Sequence, residues 1–277
     1  SPLRKRSVVY PVFLKTYSSQ LESSSNFLSI KKSLNVSSFK CSKPKSRASI
    51  KSIPKPSNLI EEDFELPSIT ELGLESVHKD ERSAFPFSGG TKMGRERIKE
   101  YFWKNKKLSN YKNTRNGLIG TDYSSKLSPW LANGSLSPKM IYWEVKKYEK
   151  QVIKNQSTYW LVFELIWRDY FKYISMKYRD KIFCIEGILN RKYNWGKSKT
   201  RVYEWINGKT EEPFVNSNMM ELKNTGWMSN RGRQNVASYF AKELKLDWRI
   251  GAAYFESILI DYDVHSNYGN WMYVSGV

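Results

Sequence analysis

The sequence predicts an all-α domain behind a mostly irregular leading segment, and three observations carry that expectation. No alternation of apolar and polar residues persists long enough for a half-buried strand. Apolar residues recur at helical spacing over 91–104, 137–154 and 158–178. Residues 1–60, by contrast, are serine-rich and basic with Glu22 as their only acid, and they show no clean amphipathic period. A segment of that composition cannot bury enough apolar surface to order itself and reads as a linker. The expected division is a connector over 1–83 and a helical domain over 84–277, long enough to bury a sizeable core.

Taken in order, the leading segment also resembles an organellar transit peptide in composition, and ELPSITELGLE (65–75) reads as its exit. TKMGRERIKEYFWK (91–104) forms an amphipathic helix. YKNTRNGLIGTDYSSKLSPWLANGSLSP (111–138) is punctuated by Gly, Ser and Pro, so it reads as a loop with short turns. The next helix starts after Ser137 with Pro138 at its first position, where the missing N–H costs nothing. Met140, Ile141, Trp143, Val145 and Tyr148 mark its apolar face. STYWLVFELIWRDYFKYISMKY continues as a long and unusually apolar helix. VNSNMMELKNTGW ends on Gly226, the residue type that closes helices in a left-handed conformation.

Charge narrows the function. Lys and Arg number 46 against 27 acidic residues, a formal net charge of +19, which favours polyanions such as nucleic acid or an anionic membrane surface. Aromatic residues make up 15% of the chain, with 10 Trp and 18 Tyr, and suit stacking on bases or flat-ring cofactors. Cys41 and Cys184 support neither a disulfide framework nor a metal site, which favours a reducing compartment. Glu164 interrupts YWLVFELIW, so no apolar run spans a bilayer. No zinc, P-loop or Ser-His-Asp signature is present.

Three constellations carry chemistry. Glu164, Trp167, Arg168 and Phe171 fall at i, i+3, i+4 and i+7 and share a helix face. With Trp160–Phe163, Leu165 and Ile166 around them, little of this helix is expected to reach solvent. An enclosed carboxylate and guanidinium need partners: either each other, or ligands in a pocket wall. In TDYSSKLS, Ser124 and Ser125 supply hydroxyls and amides ahead of a helix, a natural phosphate cradle with Tyr111 and Arg115 near by. The third lies at 226–277. Asn230 is expected to cap a helix that opens with Arg231 and Arg233, and Asp261 and Asp263 to close another. Both placements oppose the helix dipole, so each charge needs a partner. An Arg233–Asp261 ion pair answers part of this, but not Asn230, Asp263 and Asn267 together. Trp195, Trp248 and Trp271 read either as core or as a stacked series.

The strings YKNTRNGLIGTDYSSKLSPWLANGSLSP, STYWLVFELIWRDYFKY, NMMELKNTGWMSNRGRQNVASYF and LIDYDVHSNYGNWMY resemble the cryptochrome/photolyase flavoproteins, over nearly all of 84–277. RGRQN and Tyr273 favour the DASH-type cryptochromes. VYPVFLKTY with ELPSITELGLE resembles that family's inter-domain connector, although PVFLK stands where the family reads TQFRK. The resemblance implies an all-α, helical FAD-binding domain. In it, Tyr111, Ser124, Ser125, Leu127 and Arg168 hold the pyrophosphate and ribityl region. Trp227, Asn230, Arg233, Asp261, Asp263 and Asn267 surround the isoalloxazine and adenine. Glu164, Trp167, Arg231, Gln234 and Tyr273 face a flipped pyrimidine dimer, and Trp271, Trp248 and Trp195 form an electron relay.

The implied activity is light-driven splitting of cyclobutane pyrimidine dimers, preferably in single-stranded or damaged DNA, by a lyase that uses reduced FAD. The alternatives are a blue-light photoreceptor or regulatory nucleic-acid-binding flavoprotein, and a degenerate copy without flavin. Measured against the family, the chain is expected to lack most of the N-terminal antenna domain, where a folate-type pigment would sit, and to stop short of the C-terminal end. No membrane partner and no metal is expected, and a monomer is. The compartment stays open among chloroplast, mitochondrion and nucleus.

Overall fold

Most helices of the domain start or stop on a residue whose side chain or backbone suits that end, a proline, a capping side chain or a left-handed glycine. The structure, a computed structural model, describes residues 67–75 and 80–277. Most of the expected connector, including VYPVFLKTY, the 1–60 linker and Cys41, lies outside the described residues.

Helix α1 (Thr91–Ile98) runs directly into a π-helical turn at Lys99–Lys104. In that turn the adjacent residues Tyr101 and Phe102 are both fully buried. A 3₁₀ turn at Lys107–Asn110 leads to the single-turn helix α2 (Tyr111–Thr114), and α3 (Ser128–Ala132) follows the serine-rich loop. Helix α4 (Pro138–Gln151) begins at the expected proline and buries Ile141, Val145 and Tyr148 on one stripe.

Helix α5 (Gln156–Tyr178) starts two residues before the expected boundary, because Asn155 builds a capping box there. Its side chain accepts from the N–H groups of Ser157 and Thr158, while the Thr158 hydroxyl accepts from the Asn155 N–H. The expectation that this helix is enclosed does not hold. Leu161 and Leu165 are buried, but Tyr159, Ile166, Tyr173 and Met176 are exposed, because neighbours pack along one stripe rather than around the helix.

Past a turn at Arg179–Phe183 come α6 (Lys199–Ile206) and α7 (Pro213–Thr225), the latter closed by Gly226 at φ 66° as its sequence predicts. Helix α8 (Asn230–Ser238) passes into a second π-helical turn at Tyr239–Glu243. Helices α9 (Trp248–Ile258) and α10 (Val264–Ser275) complete the order, capped by the carboxylates of Asp247 and Asp263. Among the described residues there is no strand, only an isolated bridge between Gly196 and Leu246. None of the described helices is long and apolar enough to cross a membrane.

Two apolar cores result. The first gathers α1 to α4 and the first half of α5 around Phe102, Leu108, Trp130, Ile141 and Leu161. The second gathers α6 to α10 around Trp205, Phe240, Trp248, Phe255 and Trp271. Two glycines allow close approach in and beside the second core. A Cβ on Gly251 of α9 would collide with the Trp271 indole, and one on Gly269 of α10 with the Phe171 ring of α5. Gly251→Ala is therefore expected to cost about 1–3 kcal/mol of stability through overpacking. Denaturant titration followed by tryptophan fluorescence checks this, and an unchanged midpoint would refute the contact.

Candidate functional site

A cavity of about 270 Å3 lies where the two cores meet, with Leu127, Ile141, Leu161 and Leu165 of the first core and Met228 of the second in its walls. Its polar lining comes from four directions. Tyr111 and Arg115 reach it from α2 and the residue just after it, and Ser124, Ser125 and Lys126 from the loop ahead of α3. Glu164 and Arg168 come from α5, while Trp227, Asn230, Arg233 and Asp261 come from the ends of α7, α8 and α9. Asp263 and Asn267 are not in this wall, although Ser266 between them is.

The ionic arrangement corrects several expectations. Ser229, not Asn230, caps α8: its hydroxyl accepts from the Gly232 N–H at 3.0 Å, leaving Asn230 exposed at the first helical position. A serine side chain is short enough to turn back on its own helix, which frees the asparagine amide for the cavity. Arg231 and Arg233 do open the helix as expected. Arg233 is held at 3.0 Å by the buried Asp261 carboxylate, donates to the Met228 carbonyl at 2.9 Å, and lies 5.2 Å from the Trp227 ring centre.

The two aspartates do not close a helix. Helix α9 ends at Ile258, Asp261 sits in the connecting turn, and Asp263 accepts from the Ser266 N–H at the start of α10. There its charge agrees with the dipole. Nor do Glu164 and Arg168 pair along α5. Glu164 forms an ion pair with Arg115, and Arg168 turns to Asp263 at 3.7 Å and to the Leu131 carbonyl at 3.4 Å. Partners from neighbouring elements replace the helical neighbour in both cases. Each of these side chains keeps a fifth to a third of its surface exposed.

The remaining sequence-derived residues fall into three places. Arg231 donates to the Gln234 side chain at 3.0 Å and lies close enough to Arg115 to repel its charge, so Glu164, Arg115, Arg231 and Gln234 share one neighbourhood. Trp167 is half-buried in a ladder of rings along α5, 6.0 Å from Phe163 and 5.6 Å from Phe171, and Tyr273 is half-buried on α10. Asn267 is buried, donating to the Ala252 carbonyl at 3.0 Å.

The three tryptophans lie within or against the second core. Trp271 packs on Phe255 at 5.2 Å, Trp248 is fully buried and donates to the Ile185 carbonyl, and Trp195 is only half-buried beside Tyr193.

Lys126, which sequence reasoning passed over, is the most perturbed cation of the wall. Its Nζ donates to the Gly120 carbonyl at 3.1 Å and lies 3.2 Å from the Tyr123 ring centre. Burial, and then the Arg97 charge, lower its pKa to about 7 against the opposing pull of Asp122 and Glu221. Burial raises Glu221 in turn, and raises Tyr111 to about 12. Nothing in a serine-rich loop distinguishes such a lysine from a solvated one; the signal is its φ of 54°, which appears only in three dimensions.

Guanidinium and ammonium groups, serine hydroxyls, an indole and a flanking carboxylate form a lining whose chemistry fits a ligand that is part phosphate and part aromatic ring, such as a dinucleotide. Residues 160–277 match the family model for the FAD binding domain of DNA photolyase. The chain is 49% identical over 224 residues to cryptochrome DASH of Xenopus laevis, covering 81% of this chain and 42% of that protein. It is 53% identical over 201 residues to cryptochrome DASH of Synechocystis sp., covering 73% and 41%. The chain belongs to the cryptochrome/photolyase family, on its DASH branch.

The chain thus spans about two fifths of the length of these curated relatives. The solved structure of a Synechocystis cryptochrome superposes with a TM-score of 0.73 at 51% identity, covering 77% of this chain and 44% of that one. A class III photolyase from Agrobacterium tumefaciens gives 0.62 at 25% identity, over 69% and 39%. The two-core helical domain with a cavity at its seam is the family's flavin-binding fold.

Two outcomes follow from the electrostatics. Asp261→Ala leaves Arg233 half-enclosed without its carboxylate and is expected to cost about 3 kcal/mol in denaturant titration. The folded pKa of Lys126, about 7, lies below the ordinary 10.5. Between these values the unfolded chain binds more protons, so stability rises with pH. The wild type is therefore expected to gain on Lys126→Met as pH is raised from about 7 to about 10 in paired denaturant titrations. A difference independent of pH would refute the burial of a titrating amine.

Proposed function

We propose that this chain is the catalytic part of a light-driven repair enzyme that splits cyclobutane pyrimidine dimers, preferably in single-stranded DNA. The observation that carries the reading is the position of Glu164. It lies in the wall of the cavity and, through Arg115, beside Arg231 and Gln234. Lesion-facing and flavin-facing side chains then meet across one small space.

In this reading Tyr111, Ser124, Ser125, Leu127 and Arg168 hold the pyrophosphate and ribityl chain. Trp227, Asn230, Arg233 and Asp261 hold the ring systems, while Asp263, outside the wall, steadies Arg168 and Asn267 is engaged with the Ala252 carbonyl. When bound, reduced FAD supplies the photo-excited electron that opens the cyclobutane ring and recovers it afterwards. Glu164 offers carboxylate oxygens to the polar edge of the extruded bases, while Gln234 and Arg231 complete the opposite side. Trp167 and Tyr273 provide ring faces for a dimer that has left its stack. Trp271, Trp248 and Trp195 run from the enclosed second core to its half-buried margin and serve to bring electrons in from outside. The net charge of +19 draws the phosphodiester backbone to the domain.

The test is illumination of reduced protein with a dimer-containing oligonucleotide, following the return of thymine absorbance. Glu164→Ala is expected to lower the repair yield about tenfold or more with flavin retained, the scale of one lost hydrogen bond to a charged group. Asn230→Ala is expected to weaken flavin retention. No absorbance recovery with flavin bound would overturn repair and leave a light-responsive flavoprotein.

A further inference from the structure

Arg97 lies outside the cavity wall, yet it touches the loop that forms part of that wall at more points than any lining residue. Its side chain is 1% exposed. A guanidinium has five N–H donors in a fixed planar fork, and the structure provides a partner for each. Nε donates to the Ser125 carbonyl at 3.1 Å, and Nη2 to the Thr121 and Ser124 carbonyls at 3.0 and 3.3 Å. Nη1 donates to the carboxylates of Asp122 and Glu100 at 3.0 Å each. The rings of Phe85 and Tyr101 lie 4.6 and 5.0 Å from its central carbon. Asn105 holds the other Asp122 oxygen at 3.1 Å.

The chemistry of the peptide bond gives this fan a consequence. In a trans peptide the carbonyl of one residue and the N–H of the next point in opposite directions. Carbonyls of Ser124 and Ser125 drawn to Arg97 therefore turn the N–H groups of Ser125 and Lys126 away from it. Ser124, Ser125 and Lys126 line the cavity, and Arg97 does not. Lys126 then takes a left-handed conformation (φ 54°) and Leu127 a right-handed one (φ −83°, ψ −7°), the alternation that folds successive amides into an anion-binding concavity. The Lys126 ammonium pulls the Gly120 carbonyl in the same manner.

We propose that Arg97 is a positioning residue for diphosphate binding: by gripping the backs of the 121–125 peptides it presets their amides to receive a dinucleotide's phosphates. This rests on the reading of the cavity as a dinucleotide site. Arg97 acts through main-chain geometry and not through its charge at the ligand, so a lysine does not replace it.

The experiment titrates the full chain with FAD, with ADP and with riboflavin, which lacks any phosphate, for the wild type, Arg97→Met and Arg97→Lys. Affinity for FAD and ADP is expected to fall about tenfold or more in both variants, the scale of one or two lost charge-assisted contacts, with riboflavin affinity unchanged within about twofold. Equal weakening of all three ligands assigns Arg97 a merely structural role and overturns the proposal. So does wild-type affinity in Arg97→Lys, which would make charge sufficient. If Arg97→Met fails to fold, Asp122→Asn removes one anchor at a more exposed site and is expected to weaken FAD and ADP, but not riboflavin, by about threefold; unchanged ADP affinity there overturns the proposal. Absence of ADP and FAD binding by the wild type overturns the dinucleotide reading itself, an outcome distinct from wild-type binding that survives every Arg97 variant.

Discussion

Charge taken out of water where two apolar cores meet must be matched within a few ångströms, and this constraint organises the domain. Neither core can absorb the polar groups at their seam, so each side chain there is held by a partner from another element. Arg233 of α8 meets Asp261 of the α9–α10 turn, Arg168 of α5 meets Asp263 at the start of α10, and Glu164 of α5 meets Arg115 beyond α2. These pairs cross between helices and not along them, which fixes how the helices are spaced around the cavity. A hydrophobic seam of similar volume would be as stable or more so. It would also leave nothing to orient a ligand that is part phosphate and part aromatic ring.

The positive side of the seam is graded. Lys126 is the most enclosed of its cations and the easiest to neutralise, while Arg168 and Arg233 are partly open and paired with carboxylates. An anionic ligand entering the cavity restores to Lys126 the charged environment that burial removed, so ligand and lysine stabilise each other. Glu221, pushed up by burial, is pulled back by the charges of Lys126 and Arg233.

Much of the fold is legible in the chain because its cues are local. Pro138 at a first helical position and Gly226 past a last one each act through neighbouring backbone, and both ends lie where those residues put them. The capping of α8 and α10 was less legible. Ser229 and Asn230 are adjacent and both able to cap, and only the direction of the Ser229 hydroxyl decides between them. Asp263 reads as the end of one helix from sequence because Leu259–Tyr262 is apolar enough to continue it, yet it begins the next. At the site, residues carrying a family motif could be named in advance. Their partners could not, since Glu164 and Arg168 choose partners distant in sequence over each other. Arg97 and Lys126 escaped entirely: one reads as the polar face of an amphipathic helix, the other as a solvated loop cation.

The hold of Arg97 on its loop has an evolutionary side. Three of its five bonds go to main-chain oxygens of Thr121, Ser124 and Ser125, atoms that every amino acid presents alike. Apart from Asp122, that grip makes no demand on the side chains along 121–125, so a side-chain change at Ser124 or Ser125 alters the cavity lining directly and leaves the fan of carbonyls on Arg97 in place.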